Sequence, residues 1–186
     1  YLPQVDSSYQ RVTRIVADDQ DADFAIEESQ PSNQLLAWLK PEKAQFKELD
    51  QGLPLSRRFL RYWSRKVSDN AWGHYRHTFV GIKAGQGETT ARLSSDLPQD
   101  GQWRLEVHLP QLKLQPLPKL GKWNMQVISH DQVENIQFDA GTAVNGWNHV
   151  NVFELNSGPV EVVFSNKSDG KVVIVDAVSW TKTNRG

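Results

Sequence analysis

Residues 101–110, GQWRLEVHLP, alternate strictly: Trp103, Leu105, Val107 and Leu109 interleave with Gln102, Arg104, Glu106 and His108. A period of two puts apolar side chains on one face of an extended chain and polar ones on the other, which is the pattern of a half-buried β-strand. Asp100-Gly101 supplies a turn ahead of it and Pro110 a stop. The same grammar recurs at residues 75–82, 89–93, 123–127, 133–138, 150–155 and 160–164. Gly85 and Gly87, a loop holding Pro116 and Pro118, Asn145-Gly146 and Asp169-Gly170 punctuate these runs. In 75–82, Tyr75, His77 and Phe79 oppose Arg76, Thr78 and Val80. Residues 171–180, KVVIVDAVSW, are apolar in both phases except at Asp176, so this run is expected to pass through the middle of a sheet. About eight short strands with frequent turn signals predict an all-β fold, an antiparallel β-sandwich of jelly-roll type.

The first 66 residues read differently. Residues 11–17 suit a strand, with 24–26 as a short continuation. Ser32 is placed to cap a short helix carrying Leu35, Leu36 and Leu39, which Pro41 ends. The apolar pattern is too sparse for a separate core. Residues 1–66 are therefore expected to be a mixed extension packing on a sandwich domain at 67–186.

Bulk composition narrows the function classes. With 186 residues, 38% hydrophobic and 23% charged, the chain has the make-up of a soluble globular protein. A net charge of −1 lacks the basic excess of a general nucleic-acid binder. No apolar run approaches the ~20 residues of a membrane span. The absence of cysteine removes disulfides, thiol nucleophiles and cysteine-based zinc sites. A start at Tyr1, with no basic-then-apolar leader, reads as a segment of a longer protein. No cofactor is expected.

Seven tryptophans make aromatic stacking on sugar rings the first chemistry to weigh. Trp103 and Trp123 fall on apolar phases and belong to the core. Trp72 and Tyr75 sit where a loop runs into a strand, and Trp147 sits beside a glycine turn with Asn148 as a hydrogen-bonding neighbour. These four are the candidate ligand-binding residues. Asp176, a carboxylate in an apolar run, must have its oxygens satisfied. We read it as a structural anchor accepting backbone N–H groups from a nearby loop, the other reading being a catalytic acid or metal ligand. Asp19, Asp21 and Asp23 resemble the start of a calcium loop, but Phe24 and Gln30 stand where an EF-hand needs glycine and glutamate, so a solvated acidic turn is expected. His74 and His77, three apart on a strand, point to opposite sides, and no metal site is expected. His108 and His149 fall on polar phases and read as solvated. In the basic block 56–66, SRRFLRYWSRK, the arginines are expected to pair with the acidic segment 18–28 while Phe59 and Trp63 anchor to the sandwich. The other reading of that block is contact with anionic lipid.

The segments LPQDGQWRLEVHLP, KWNMQVISHD, GWNHVNVFEL and GKVVIVDAVSW resemble the golvesin C-terminal, or xanthan-lyase carbohydrate-binding-like, domain. Val175-Asp176-Ala177-Val178 and Gly146-Trp147 carry the likeness best, over roughly residues 72–180. Asp131 after His130, and Val175 where alanine is common, depart from the pattern. Residues 16–24, DQGLP and DNAWGHYRHT are also similar to the C-terminal tail of bacterial fusions between permease segments and metallo-aminopeptidases. The zinc motif H-E-x-x-H of such an enzyme is missing from this chain.

The resemblance implies a non-catalytic accessory β-sandwich module of a larger bacterial envelope or secreted protein, such as a peptidase or other hydrolase. Its location would be periplasmic, membrane-associated or secreted through that parent. Its partners would be the parent's catalytic or membrane domains, with polysaccharide a further candidate. Two other functions follow from the residues: a carbohydrate-binding module working through its exposed aromatics, and a small hydrolase or lyase using Asp176.

Overall fold

A computed structural model describes residues 13–28, 53, 55–73, 77–114, 116–130 and 132–183. Within them run twelve strands: β1 (Arg14–Asp18), β2 (Ala25–Glu28), β3 (Ser64–Val67), β4 (Thr78–Lys83), β5 (Thr89–Leu97), β6 (Gly101–Leu109), β7 (Lys122–Ser129), β8 (Gln132–Asp139), β9 (Gly146–Leu155), β10 (Gly158–Ser168), β11 (Val172–Val175) and β12 (Ala177–Lys182). The described residues contain no helix. The expected helix at 32–39 lies outside them.

All strand pairing is antiparallel, in a first sheet ordered β1-β12-β6-β9, a second ordered β2-β5-β10-β7-β8, and a third ordered β11-β4-β3. This is the all-β sandwich that the alternation predicts. Period-two burial in β6 and β7 points Trp103, Leu105 and Val107 from the first sheet, and Trp123, Met125 and Val127 from the second, into one continuous core. The segment 14–28 feeds both larger sheets, because β1 pairs with β12 and β2 with β5.

Two elements differ from the period-two reading. Residues 171–180 do not form one strand. β11 belongs to the third sheet and β12 to the first, and Asp176 is the residue at which the chain changes sheets. Strands that turn a sandwich corner need such a break, and a carboxylate that bonds neighbouring chain provides it. β4 is buried through Thr78, Phe79, Val80, Gly81 and Ile82 instead of alternating. It lies between β11 and β3 with side chains covered on both faces. Gly81 belongs to that covering, since a Cβ there would collide with the ring of Phe59.

The basic block is tied down in part, with Arg57, Arg58 and Arg61 left exposed. Phe59 and Trp63 are buried, Trp63 Nε1 donates to Thr89 Oγ1 at 3.1 Å, and Arg65 pairs with Asp19.

The pairing of β6 with β9 slips between Leu105 and Glu106, leaving Val150 as an extra residue in β9. Such a bulge exchanges the two faces of a strand. Trp147 and His149, opposite His108 and Glu106, therefore take the outer face, while Phe153, opposite Trp103, takes the core.

Trp103, in the internal strand β6, is one of three fully buried tryptophans, with Trp123 and Trp180. Trp103→Ala is expected to cost about 3–5 kcal/mol, from lost burial and the cavity left behind. In urea unfolding this appears as a lower midpoint at unchanged slope, and a midpoint close to wild type would show that the core does not depend on this ring.

Candidate functional site

Asp176 is fully buried at the β11–β12 corner. Its oxygens accept the Trp72 backbone N–H at 3.0 and 3.2 Å, and Oδ2 lies 2.7 Å from His108 Nδ1. Its carbonyl accepts the N–H of Asp19 at 3.2 Å. One residue thus joins the loop carrying Trp72, strand β6 and the turn after β1. Burial pushes the Asp176 carboxyl up to about 6, against the opposing pull of His108 and the Trp72 N–H.

His108 is not solvated. Its place on the polar phase of β6 sets it beside Ala177 on one side and Trp147 on the other, in the row that crosses the first sheet. Its ring centroid lies 5.0 Å from that of Trp147 and 5.9 Å from that of Trp72, and the two indoles meet edge-to-face at 5.1 Å. Together with its bond to Asp176, this packing leaves 12% of the His108 side chain exposed.

The cluster opens onto the outer face of the first sheet. Arg14 of β1 lays its guanidinium 4.5 Å from the Trp147 ring centroid, and its Nε donates to Ser179 Oγ at 2.7 Å. Glu106 stands between Arg14 and Arg104, 3.9 Å from each guanidinium. The face therefore offers two half-buried indoles rimmed by two guanidinia, a carboxylate and the exposed His149.

Of the residues singled out in the sequence, Trp72 and Trp147 are brought together. Asn148 is adjacent in the chain but turned to local use: Oδ1 accepts from Val144 N, and Nδ2 donates to the carbonyls of Val144 and Gly146. Tyr75 lies outside the described residues. Asp176 lies beneath the cluster. His108, Arg14 and Glu106 complete it, and the sequence marks none of the three as a site residue. Alternation does place Glu106 and His108 on one side of β6, but what they face follows from strand order.

A second buried carboxylate supports the first. Asp19 is fully buried, not part of a solvated turn. Its Oδ2 accepts from Arg65 Nε at 2.8 Å, and both oxygens accept from Thr78 Oγ1 at 3.1 and 2.9 Å. Burial raises this carboxyl to about 6 as well, with the Arg65 guanidinium opposing. Among the described residues no group of three or more His, Asp or Glu is placed to hold a metal ion. The arrangement can stack and hydrogen-bond a ligand on its outer face, and it can hold a proton between His108 and Asp176.

No protein-family model matches the chain, and no curated protein matches it. Solved structures do. A xanthan lyase from Paenibacillus superposes on 92% of this chain with a TM-score of 0.61 at 12% identity, and the chain spans 13% of that enzyme's length. Two family 35 carbohydrate-binding modules from Clostridium thermocellum are more distant. One covers 90% of this chain and 97% of its own (TM-score 0.45, 12% identity), and the other 64% and 87% (0.43, 15%). At such identities the likeness is one of fold, and it assigns the chain the β-sandwich architecture found within the xanthan lyase.

The raised carboxyls make stability depend on pH. The folded state holds protons on Asp19 and Asp176 up to about pH 6, whereas in the unfolded chain they leave near the ordinary value of 3.8. Between those limits the folded state binds more protons, so stability from these groups is full below about pH 4 and falls as pH rises to about 6. A difference of that size between the two states is worth roughly 3 kcal/mol per group. Asp176→Asn is expected to lose its share of that slope. Urea unfolding of both proteins at pH 4, 5, 6 and 7 tests this, because carboxyls remote from Asp176 cancel in the difference, and parallel pH profiles would refute it.

Proposed function

We propose that this chain is a carbohydrate-binding accessory module whose contact surface is the outer face of the first sheet around Trp147 and Trp72. The observation that carries the reading is the pair of half-buried indoles, held edge-to-face and rimmed by Arg14, Glu106, Arg104 and His149 on an open sheet face. Apolar rings flanked by charged hydrogen-bonding groups suit a pyranose, which has C–H faces and a hydroxyl rim. An open face suits binding better than turnover, which needs reacting groups enclosed from water. The shared fold occurs inside an enzyme named as a xanthan lyase, and the sequence likeness to the golvesin C-terminal class points the same way. In this reading the module is non-catalytic. It belongs to a larger bacterial envelope or secreted protein and holds a polysaccharide near that protein's catalytic or membrane domains.

One observation favours a second reading, a small hydrolase or lyase using Asp176: the short bond between His108 and this carboxylate is the arrangement that orients a general base. The packing of both indoles on His108 weighs against it, since the ring has little room to reach a substrate.

A glycan array and polysaccharide pull-down with wild type, Trp147→Ala and Trp72→Ala tests the first reading. Wild type is expected to retain at least one polysaccharide class, and each variant to lose about tenfold or more in affinity while still unfolding cooperatively in urea. Absence of binding across a broad panel would overturn it. Turnover of a bound polysaccharide that disappears in Asp176→Asn would establish the second.

A further inference from the structure

We propose that the loop before β3 is a docking surface for a membrane of anionic lipids. Arg57, Arg58, Arg61 and Lys83 supply the charge, and Tyr62 and Leu55 the contact with the headgroup layer. The loop crosses the third sheet and is pinned along its length. The Phe59 ring lies against Gly81, the Leu60 carbonyl accepts the Lys83 N–H at 2.7 Å, and Trp63 Nε1 donates to Thr89 Oγ1. The Ser56 N–H donates to the Arg65 carbonyl at 3.1 Å, and Lys66 Nζ to the Arg58 carbonyl at 3.2 Å. Phe59 and Trp63 are thereby buried, and Arg57, Arg58, Arg61 and Tyr62 are left on the solvent side. The bond from Lys83 to Leu60 brings a further exposed cation beside Arg61.

These cations are uncompensated. Among the described residues Arg57, Arg58, Arg61 and Lys83 make no ion pair. The acids of neighbouring elements are engaged elsewhere: Asp19 with Arg65, Glu27 with Arg92, Asp69 with Lys113, and Glu88 with the N–H groups of Gln86 and Gly87. A chain whose net charge is −1 thus gathers free positive charge in one place, and a negative partner is what that charge would attract. A lipid surface fits better than a soluble polyanion because the cations have apolar company. Leu55 is 64% exposed and Tyr62 38%. An aliphatic side chain and an amphipathic ring gain from entering a headgroup layer, and gain nothing from a charged polymer in water. Guanidinium forks also match phosphate oxygens in pairs. The surface shares no residue with the Trp147 face, so it stands or falls apart from the sugar reading.

Co-sedimentation of the full chain with vesicles of phosphatidylcholine, and of equal parts phosphatidylcholine and phosphatidylglycerol, tests the surface. Binding is expected on the anionic vesicles alone, and added salt should weaken it. Arg57→Gln, Arg58→Gln and Arg61→Gln combined should cost about a hundredfold in partitioning, at about fivefold per charge, with the urea midpoint unchanged. Leu55→Ser with Tyr62→Ser should cost about tenfold, again without moving that midpoint. Lys122→Gln with Lys167→Gln, which removes two exposed cations of the second sheet, should leave binding as it is. Absence of binding to anionic vesicles overturns the proposal. So does wild-type binding by the triple arginine variant, or an equal loss per charge in the Lys122 and Lys167 variant. Vesicle binding indifferent to Leu55→Ser with Tyr62→Ser also overturns it. Should soluble polygalacturonate then bind through the same arginines, the partner is an acidic polysaccharide and not a membrane.

Discussion

The carboxylate of Asp176 is taken out of water at the point where the chain leaves one sheet for another, and much of the site follows from its need for partners. A buried carboxylate is tolerated only when its oxygens are bonded. The donors available here are the Trp72 backbone N–H and the His108 ring, from two different parts of the chain. Satisfying Asp176 therefore places Trp72 and His108 on the same side of the first sheet. The indole of Trp147 then closes against both.

Asp19 does for the third sheet what Asp176 does for the first. Its bonds to Arg65 of β3 and Thr78 of β4 hold the third sheet to the turn after β1, and its backbone N–H reaches the carbonyl of Asp176. The two carboxylates are neighbours in one polar seam through an otherwise apolar interior, and the charge of Asp19 raises the cost of ionising Asp176. A satisfied seam of this kind fixes orientation where apolar contacts alone would tolerate sliding.

Much of the fold was legible because β6, β7 and β10 sit at the centre of the larger sheets, where one buried face imposes alternation. The sheet change at Asp176 was less so. A strand covered on both faces and two strands meeting at a corner are written in the same apolar letters, and the lone aspartate was the available sign of the break. The site was half legible. Trp72 and Trp147 stand out as aromatics beside turns, but Arg14 and Glu106 look like ordinary solvated charges, and His108 looks like a polar-phase residue. Their meeting depends on β12 lying between β1 and β6, which local pattern does not encode. The tie between the basic block and the acidic segment could be read from charge complementarity, although that it would be Arg65 with Asp19 alone could not.

The extra residue at Val150 divides β9 into two stretches that answer to different demands. In a regular strand, residues of equal parity share a face, so Trp147 and Phe153 would be bound together: both buried or both exposed. The bulge frees them. Trp147 and His149 are answerable to whatever lies on the outer surface, and Phe153 and Leu155 to the interior. The contact surface can therefore be rewritten at positions 147 and 149 at little risk to the core. Removing one residue at the bulge would do the opposite, turning either Trp147 inward or Phe153 outward. In this strand an indel is a graver change than almost any substitution.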